Sequence, residues 1–163
     1  MTLEFRHARE SDLPRILEIY SGARAFMAES GNPDQWTNGY PDETAVREDL
    51  RKQQLFVCSE QGCVVGVFCY FHGEEPDYRE IFEGSWPNDR PYGVVHRIAC
   101  GIRGKGIASA CLDFAFRLCG NLRIDTHRNN VPMQRTLEKN GFRRCGIIYL
   151  RKNGDQRIAY QKI

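Results

Sequence analysis

Residues 101–109, GIRGKGIAS, follow the apolar run YGVVHRIAC and open an amphipathic segment. Here Arg103, Gly104, Lys105, Gly106, Ile107, Ala108 and Ser109 set two cations among small residues at a helix start. The first amides of a helix have no intrahelical acceptor, and the aligned peptide dipoles favour an anion beside them. Glycine and alanine let that backbone approach a bulky pyrophosphate. Arg103 and Lys105 add full charges to the same spot. This spacing predicts phosphate binding.

Three further side chains could move protons. His96 lies inside the apolar run and titrates near neutrality, which suits a base, but a hydrogen-bonded histidine near the core reads the same way. His127 follows a short apolar run, and Asp125, two residues earlier, shares its strand face. That pair is either an oriented imidazole or a salt-linked strand end. Tyr149 lies on a later strand, where it can donate a proton or simply pack.

These groups need elements to position them. Leu3–Ala8 reads as a first strand, and Ser11 or Asp12 caps a helix with apolar residues Leu13, Ile16, Leu17 and Tyr20 at helical spacing. A polar loop, GNPDQWTNGYP, separates it from a second helix running from Asp42 to Lys52. Leu55–Ser59 and Cys63–Phe71 form a hairpin around Gln61-Gly62. Residues 73–91 break the periodicity and read as an inserted loop or short helix. Then come a strand at Tyr92–Cys100, a helix at Lys105–Leu118, a strand at Leu122–His127, and a helix at Val131–Asn140 ended by Gly141. Strands Phe142–Arg151 and Gln156–Ile163 flank an Asn153-Gly154 turn. The expected fold class is α/β (α+β): one domain over residues 1–163, with a mixed sheet covered by helices.

Composition narrows the function. A chain of 163 residues with 41% hydrophobic content can bury a substantial core. With 23 basic and 21 acidic residues, the net charge of +2 gives no field to recruit nucleic acid. The charged N-terminus lacks the apolar run of a signal peptide, and no segment is apolar for the roughly 20 residues that span a membrane. A soluble cytoplasmic protein with no membrane partner is expected. Seven cysteines, none in a CxxC spacing, predict buried thiols with neither a zinc site nor a disulfide framework.

Arg103, Gly106 and Ala108 together resemble the signature of the GNAT superfamily of acyl-CoA-dependent N-acetyltransferases. A second block is similar to the motif after that family's fifth strand: LRIDTH, then Asn130, then Glu138-Lys139-Asn140-Gly141-Phe142. The order of elements also matches over nearly the whole chain. The resemblance implies a mostly antiparallel sheet of about seven strands, with helices on both faces and strands four and five splayed apart. It implies acetyl-CoA as acyl donor and no metal. The pantetheine arm would pair with the backbone at Ile98, Ala99 and Cys100. The pyrophosphate would lie on the amides from Arg103 to Ser109, and Asn130 would touch the arm. The acceptor would be a small-molecule amine or a peptide amine. It would be bordered by the loops that carry Trp36, Tyr40, Tyr78 and Trp86, unless those aromatics are staples pinning the loops down. Acidic residues Asp34, Glu74, Glu75, Asp77 and Asp89 lie in the same loops, where they either favour an amine or are solvated. The family's frequent tyrosine acid is replaced here by Leu137. A last strand lying exposed at the sheet edge would offer a surface for a homodimer.

Two other functions fit parts of the pattern. A non-catalytic acyl-CoA-binding sensor is consistent with Leu137. A nucleotide-binding oxidoreductase is consistent with Gly104-x-Gly106 after a strand and Asp125 about 20 residues on. The second is weakened by the missing third glycine, replaced by Ser109, and by a chain that ends in a hairpin.

Overall fold

The computed structural model describes residues 2–163. Seven strands form one sheet: β1 (Leu3–His7), β2 (Leu55–Glu60), β3 (Cys63–His72), β4 (Gly93–Cys100), β5 (Leu122–Thr126), β6 (Arg143–Tyr149) and β7 (Gln156–Lys162). Their order is β1-β2-β3-β4-β5-β7-β6, and every pairing is antiparallel except β4 with β5. Helices α1 (Leu13–Glu29), α2 (Glu43–Arg51), α3 (Ile107–Cys119) and α4 (Val131–Lys139) cover it. No helix among the described residues is long and apolar enough to cross a membrane.

The two faces have separate cores, as the alternation of side chains along a strand requires. Val57, Val64 and Val67 point to one face and pack under Leu13, Ile16, Tyr20 and Val46 of α1 and α2. Cys58, Val65 and Phe68 point to the other, under Ile107, Leu112 and Ala115 of α3 and Leu137 of α4. A strand buried on both faces reads as a nearly continuous apolar run, which is how β3 looks in the sequence.

Three details depart from the sequence reading. Helix α3 begins at Ile107 rather than Lys105, because Gly104 and Gly106 both take φ of +72°, a left-handed conformation that a helix cannot continue through. The last strand is not an edge: β7 lies between β5 and β6, so the edges are β1 and β6. β7 therefore offers no free edge for pairing with a second copy, since a partner on each side already takes its hydrogen bonds. The single parallel pair also leaves no doubly wound sheet, which removes the oxidoreductase reading.

Residues 73–91 are anchored rather than loose. A 3-10 turn at Pro76–Tyr78 is followed by a bridge from Phe82 to Ile147 on β6. Tyr78 is fully buried with Val94, Ile148 and Ala159, so the insertion brings its own small core.

Candidate active site

The site is made by a failure of pairing. β4 and β5 are hydrogen-bonded only at Gly93–Leu122 and Val94–Arg123, and beyond that point they separate. Two cavities open along the gap. One, of 440 Å³, runs along Ile98, Ala99 and Cys100 to the turn that carries Arg103, Gly104, Gly106, Ile107, Ala108 and Ser109. The other, of 650 Å³, lies under the loop from Gly73 to Asp77 and contains His96, Arg97, Asp125, Trp36 and Tyr40. Met27, Ile98, Asn130 and Met133 line both, so the two meet at the splay.

A bulge in β4 controls what faces each cavity. Val67 pairs with Ala99, but Cys69 pairs with His96, so β4 carries one residue more than β3 over this span. The extra residue is accommodated at Arg97, whose φ of +49° lies in the left-handed region. Arg97 is held from both ends. Its guanidinium donates to Asp49 of α2 at 2.7 and 2.8 Å and to the Tyr40 hydroxyl at 2.9 Å. Its carbonyl accepts from the buried Tyr20 hydroxyl at 2.7 Å. An arginine inside an otherwise buried strand demands such a partner, so the sequence VVHRIA signalled that an acid must meet Arg97, but not which acid.

His96, next to Arg97, places Nε2 2.8 Å from Oε2 of Glu75. Burial pushes the Glu75 carboxyl up, but the hydrogen bond and charge of His96 outweigh it. The carboxyl therefore stays below its ordinary pKa and is ionised at neutral pH. An ionised carboxylate only accepts, so Nε2 donates, and in the neutral ring this leaves the lone pair on Nδ1. Glu74, Glu75 and Asp77 all line this cavity, whereas Asp34 and Asp89 do not.

The other sequence candidates divide. Trp36 and Tyr40 line the larger cavity. Tyr78 and Trp86 do not line it and act as staples: the Tyr78 hydroxyl donates to Asp125 at 2.6 Å, and the Trp86 indole donates to the Tyr78 carbonyl. Trp86 also lies 4.1 Å over the Arg123 guanidinium. Asp125 is therefore paired with Tyr78 and does not orient His127, which lies just past the strand end. His127 Nδ1 instead accepts from the Asn129 amide at 3.0 Å. Burial first, then the charges of Arg157 and Arg128, hold its imidazole below the ordinary value. Tyr149 is exposed and packs edge-on against Phe82, outside both cavities.

On the turn, Arg103 lies 3.6 Å over the Phe26 ring, while Lys105 is exposed and outside the lining. The Ser109 hydroxyl accepts from Asn140 at 2.8 Å. Burial pushes the Cys100 thiol up to about 11. Asn130 caps α4 by accepting from the Met133 amide at 3.2 Å and donates to Gln35 at 2.9 Å. Leu137 is fully buried in the core.

The comparisons agree with this architecture. The acetyltransferase (GNAT) family model matches residues 13–142, and the chain belongs to that family. A GNAT-family acetyltransferase from Streptococcus agalactiae is 33% identical, with 99% of this chain and 95% of that one covered and a TM-score of 0.91. A ribosomal-protein-alanine N-acetyltransferase from Brucella melitensis shares the fold at 21% identity, with 98% and 99% covered and a TM-score of 0.66. No curated protein matches the chain.

Proposed function

We propose that this protein is an N-acetyltransferase that moves an acetyl group from acetyl-CoA to an amine held in the larger cavity. The observation that carries this is the meeting of the two cavities at the splayed strands, with a carboxylate-bound histidine on the acceptor side.

The residues present fit coenzyme A. Beyond Val94 the β5-facing edge of β4 is unpaired, so Ile98, Ala99 and Cys100 can hold an extended pantetheine arm as a sheet holds an added strand. A Cβ at Gly104 or Gly106 would meet nothing within 4 Å, so the turn from Arg103 to Ser109 is open to a pyrophosphate. The first-turn amides of α3 point at that space. Asn130 borders the arm, although its side-chain amide already caps α4 and bonds Gln35. When bound, acetyl-CoA supplies an activated thioester.

The chain's own groups do the rest. Glu75 fixes the His96 ring, and Nδ1 takes the proton from the acceptor ammonium, directly or through water. The carboxylates of Glu74, Glu75, Asp77 and Asp125 make the wall favourable for a cation. A free amide on the splayed edge of β4 polarises the thioester carbonyl, and alignment of the two reactants lowers the barrier further. Leu137 supplies no proton, so the second proton, shed by the attacking nitrogen as the C–N bond forms and the C–S bond breaks, passes through water to the departing thiolate.

Release of free thiol from acetyl-CoA across an amine panel tests the reading. The wild type should turn over. His96→Ala should lower kcat by about 10²- to 10⁴-fold and remove one limb of the pH–rate profile. Tight binding of acetyl-CoA without transfer to any amine would favour the sensor. An unchanged profile in His96→Ala would remove His96 as the base.

A further inference from the structure

The larger cavity has cations as well as acids, and they are not equivalent. Arg97 is neutralised by Asp49, and Lys52 reaches Glu48 at 3.6 Å. Arg157 and Lys152 have no carboxylate within 4 Å among the described residues. Arg157 is only 5% exposed. Its guanidinium donates to the Gln156 carbonyl at 3.0 Å and the Gln35 carbonyl at 3.3 Å, which use only part of its donor set. Arg157 lines both pockets, so the donors it does not use within the fold open onto the cavity, where an anion would supply the missing counter-charge. Lys152 is exposed and lies 4.2 Å over the Tyr40 ring, beside the same opening.

Their placement is informative. A smaller outer pocket of 260 Å³ shares Gln35, Tyr40, Lys152 and Arg157 with the larger cavity, whereas His96 and Glu75 line the larger cavity alone. The unmatched cations therefore lie where the two pockets join, and the carboxylates Glu74, Glu75 and Asp77 lie with His96 under the 73–77 loop. Asp155 also borders the outer pocket but does not come within 4 Å of either cation. The cavity thus has an acidic wall suited to an ammonium and a cationic end suited to an anion. Its 650 Å³ is in the range of small-molecule sites.

We propose that the acceptor is a small amino acid, an amine that also carries a carboxylate, and that Arg157, assisted by Lys152, binds the carboxylate. This rests on the acetyltransferase reading and specifies its acceptor. Arginine suits the task because its planar fork can hold a carboxylate through two parallel hydrogen bonds.

The test is a panel of matched pairs, each an amino acid and its decarboxylated amine, at saturating acetyl-CoA. Both α-amino acids and longer ω-amino acids are included. The acid of at least one pair should exceed its amine by about 10- to 100-fold in kcat/KM, the weight of charge-assisted contacts. Arg157→Gln should bring that ratio close to one, chiefly through KM, and Arg157→Lys should restore part of it. Lys152→Gln changes an exposed residue that folding does not need, and it should lower the ratio a few-fold. If Arg157→Gln does not fold, the wild-type ratio and Lys152→Gln still decide. Transfer that proceeds equally well or better with the decarboxylated amines overturns the carboxylate subsite and leaves the acetyltransferase standing. Transfer to no acceptor, with acetyl-CoA bound, overturns both.

Discussion

Replacing Asp49 with asparagine tests whether the ion pair between α2 and β4 holds the bulge that aims His96. The Asp49 and Arg97 side chains are 7% and 20% exposed, and two bonds of 2.7 and 2.8 Å join them. Asparagine keeps the shape and one acceptor but leaves the guanidinium uncompensated. Removing one member of a buried pair costs about 3–5 kcal/mol, and the conservative change belongs at the lower end, about 3 kcal/mol. For a chain of this length that corresponds to a fall of about 6–12 °C in melting temperature. Arg97 also keeps a left-handed φ of +49°, a strain of about 1–3 kcal/mol that the pair compensates. Without Asp49 the bulge should relax and displace His96, and misplacement by about 1 Å can cost about 100-fold in rate. Thermal and urea unfolding measure the first effect, and thiol release measures the second. A double-mutant cycle with Arg97→Gln isolates the pair, and Asp49→Leu with Arg97→Met should regain much of the stability by replacing charges with apolar contact. A loss below about 0.5 kcal/mol in Asp49→Asn, or a coupling near zero, would refute the reasoning.

Two further outcomes follow from other parts of the structure. Gly106→Glu places a side chain and a negative charge at the left-handed N-cap of α3, and titration calorimetry should find acetyl-CoA affinity lower by about 100-fold or more. Unchanged affinity would move the phosphate site elsewhere. Asp12 accepts from Arg6 at 2.7 and 3.0 Å and from the Arg9 amide at 2.7 Å, and the Arg6 bond, outweighing burial, holds its carboxyl below the ordinary range. A depressed carboxyl stabilises fully above its unfolded pKa and loses that contribution as pH falls through the folded one. Asp12→Asn should therefore cost about 1–2 kcal/mol near pH 7 in urea unfolding, with the gap narrowing as pH falls below the ordinary carboxylate range.

Much of this molecule was legible in its chain. The turn between β4 and α3 was readable because its requirements are local: two glycines that tolerate positive φ, a following helix, and a preceding apolar strand. The strands and helices were readable because burial imposes a period of two or of 3.6 on neighbours. What local pattern missed were partners. Nothing in the sequence joins Glu75 to His96, which are 21 residues apart, or Asp49 to Arg97, which are 48 apart. The Asp125–His127 pairing, plausible from a shared strand face, lost to the Tyr78 hydroxyl that the insertion brings over β5. The four loop aromatics looked alike in sequence, and their separation into cavity lining and staples came from where each loop docks.

The amino-acid sequence by itself determined the element order, the two buried faces of the sheet and the glycine-rich turn into α3, because each depends on residues within a few positions of one another. Tertiary structure alone decided that β4 and β5 part after two pairs, that one bulge turns His96 toward Glu75, and that Arg157 is buried beside the cavity without an acid. Those features depend on which distant side chains meet and on which charge is left without a partner. Such relations arise only when the whole chain is packed.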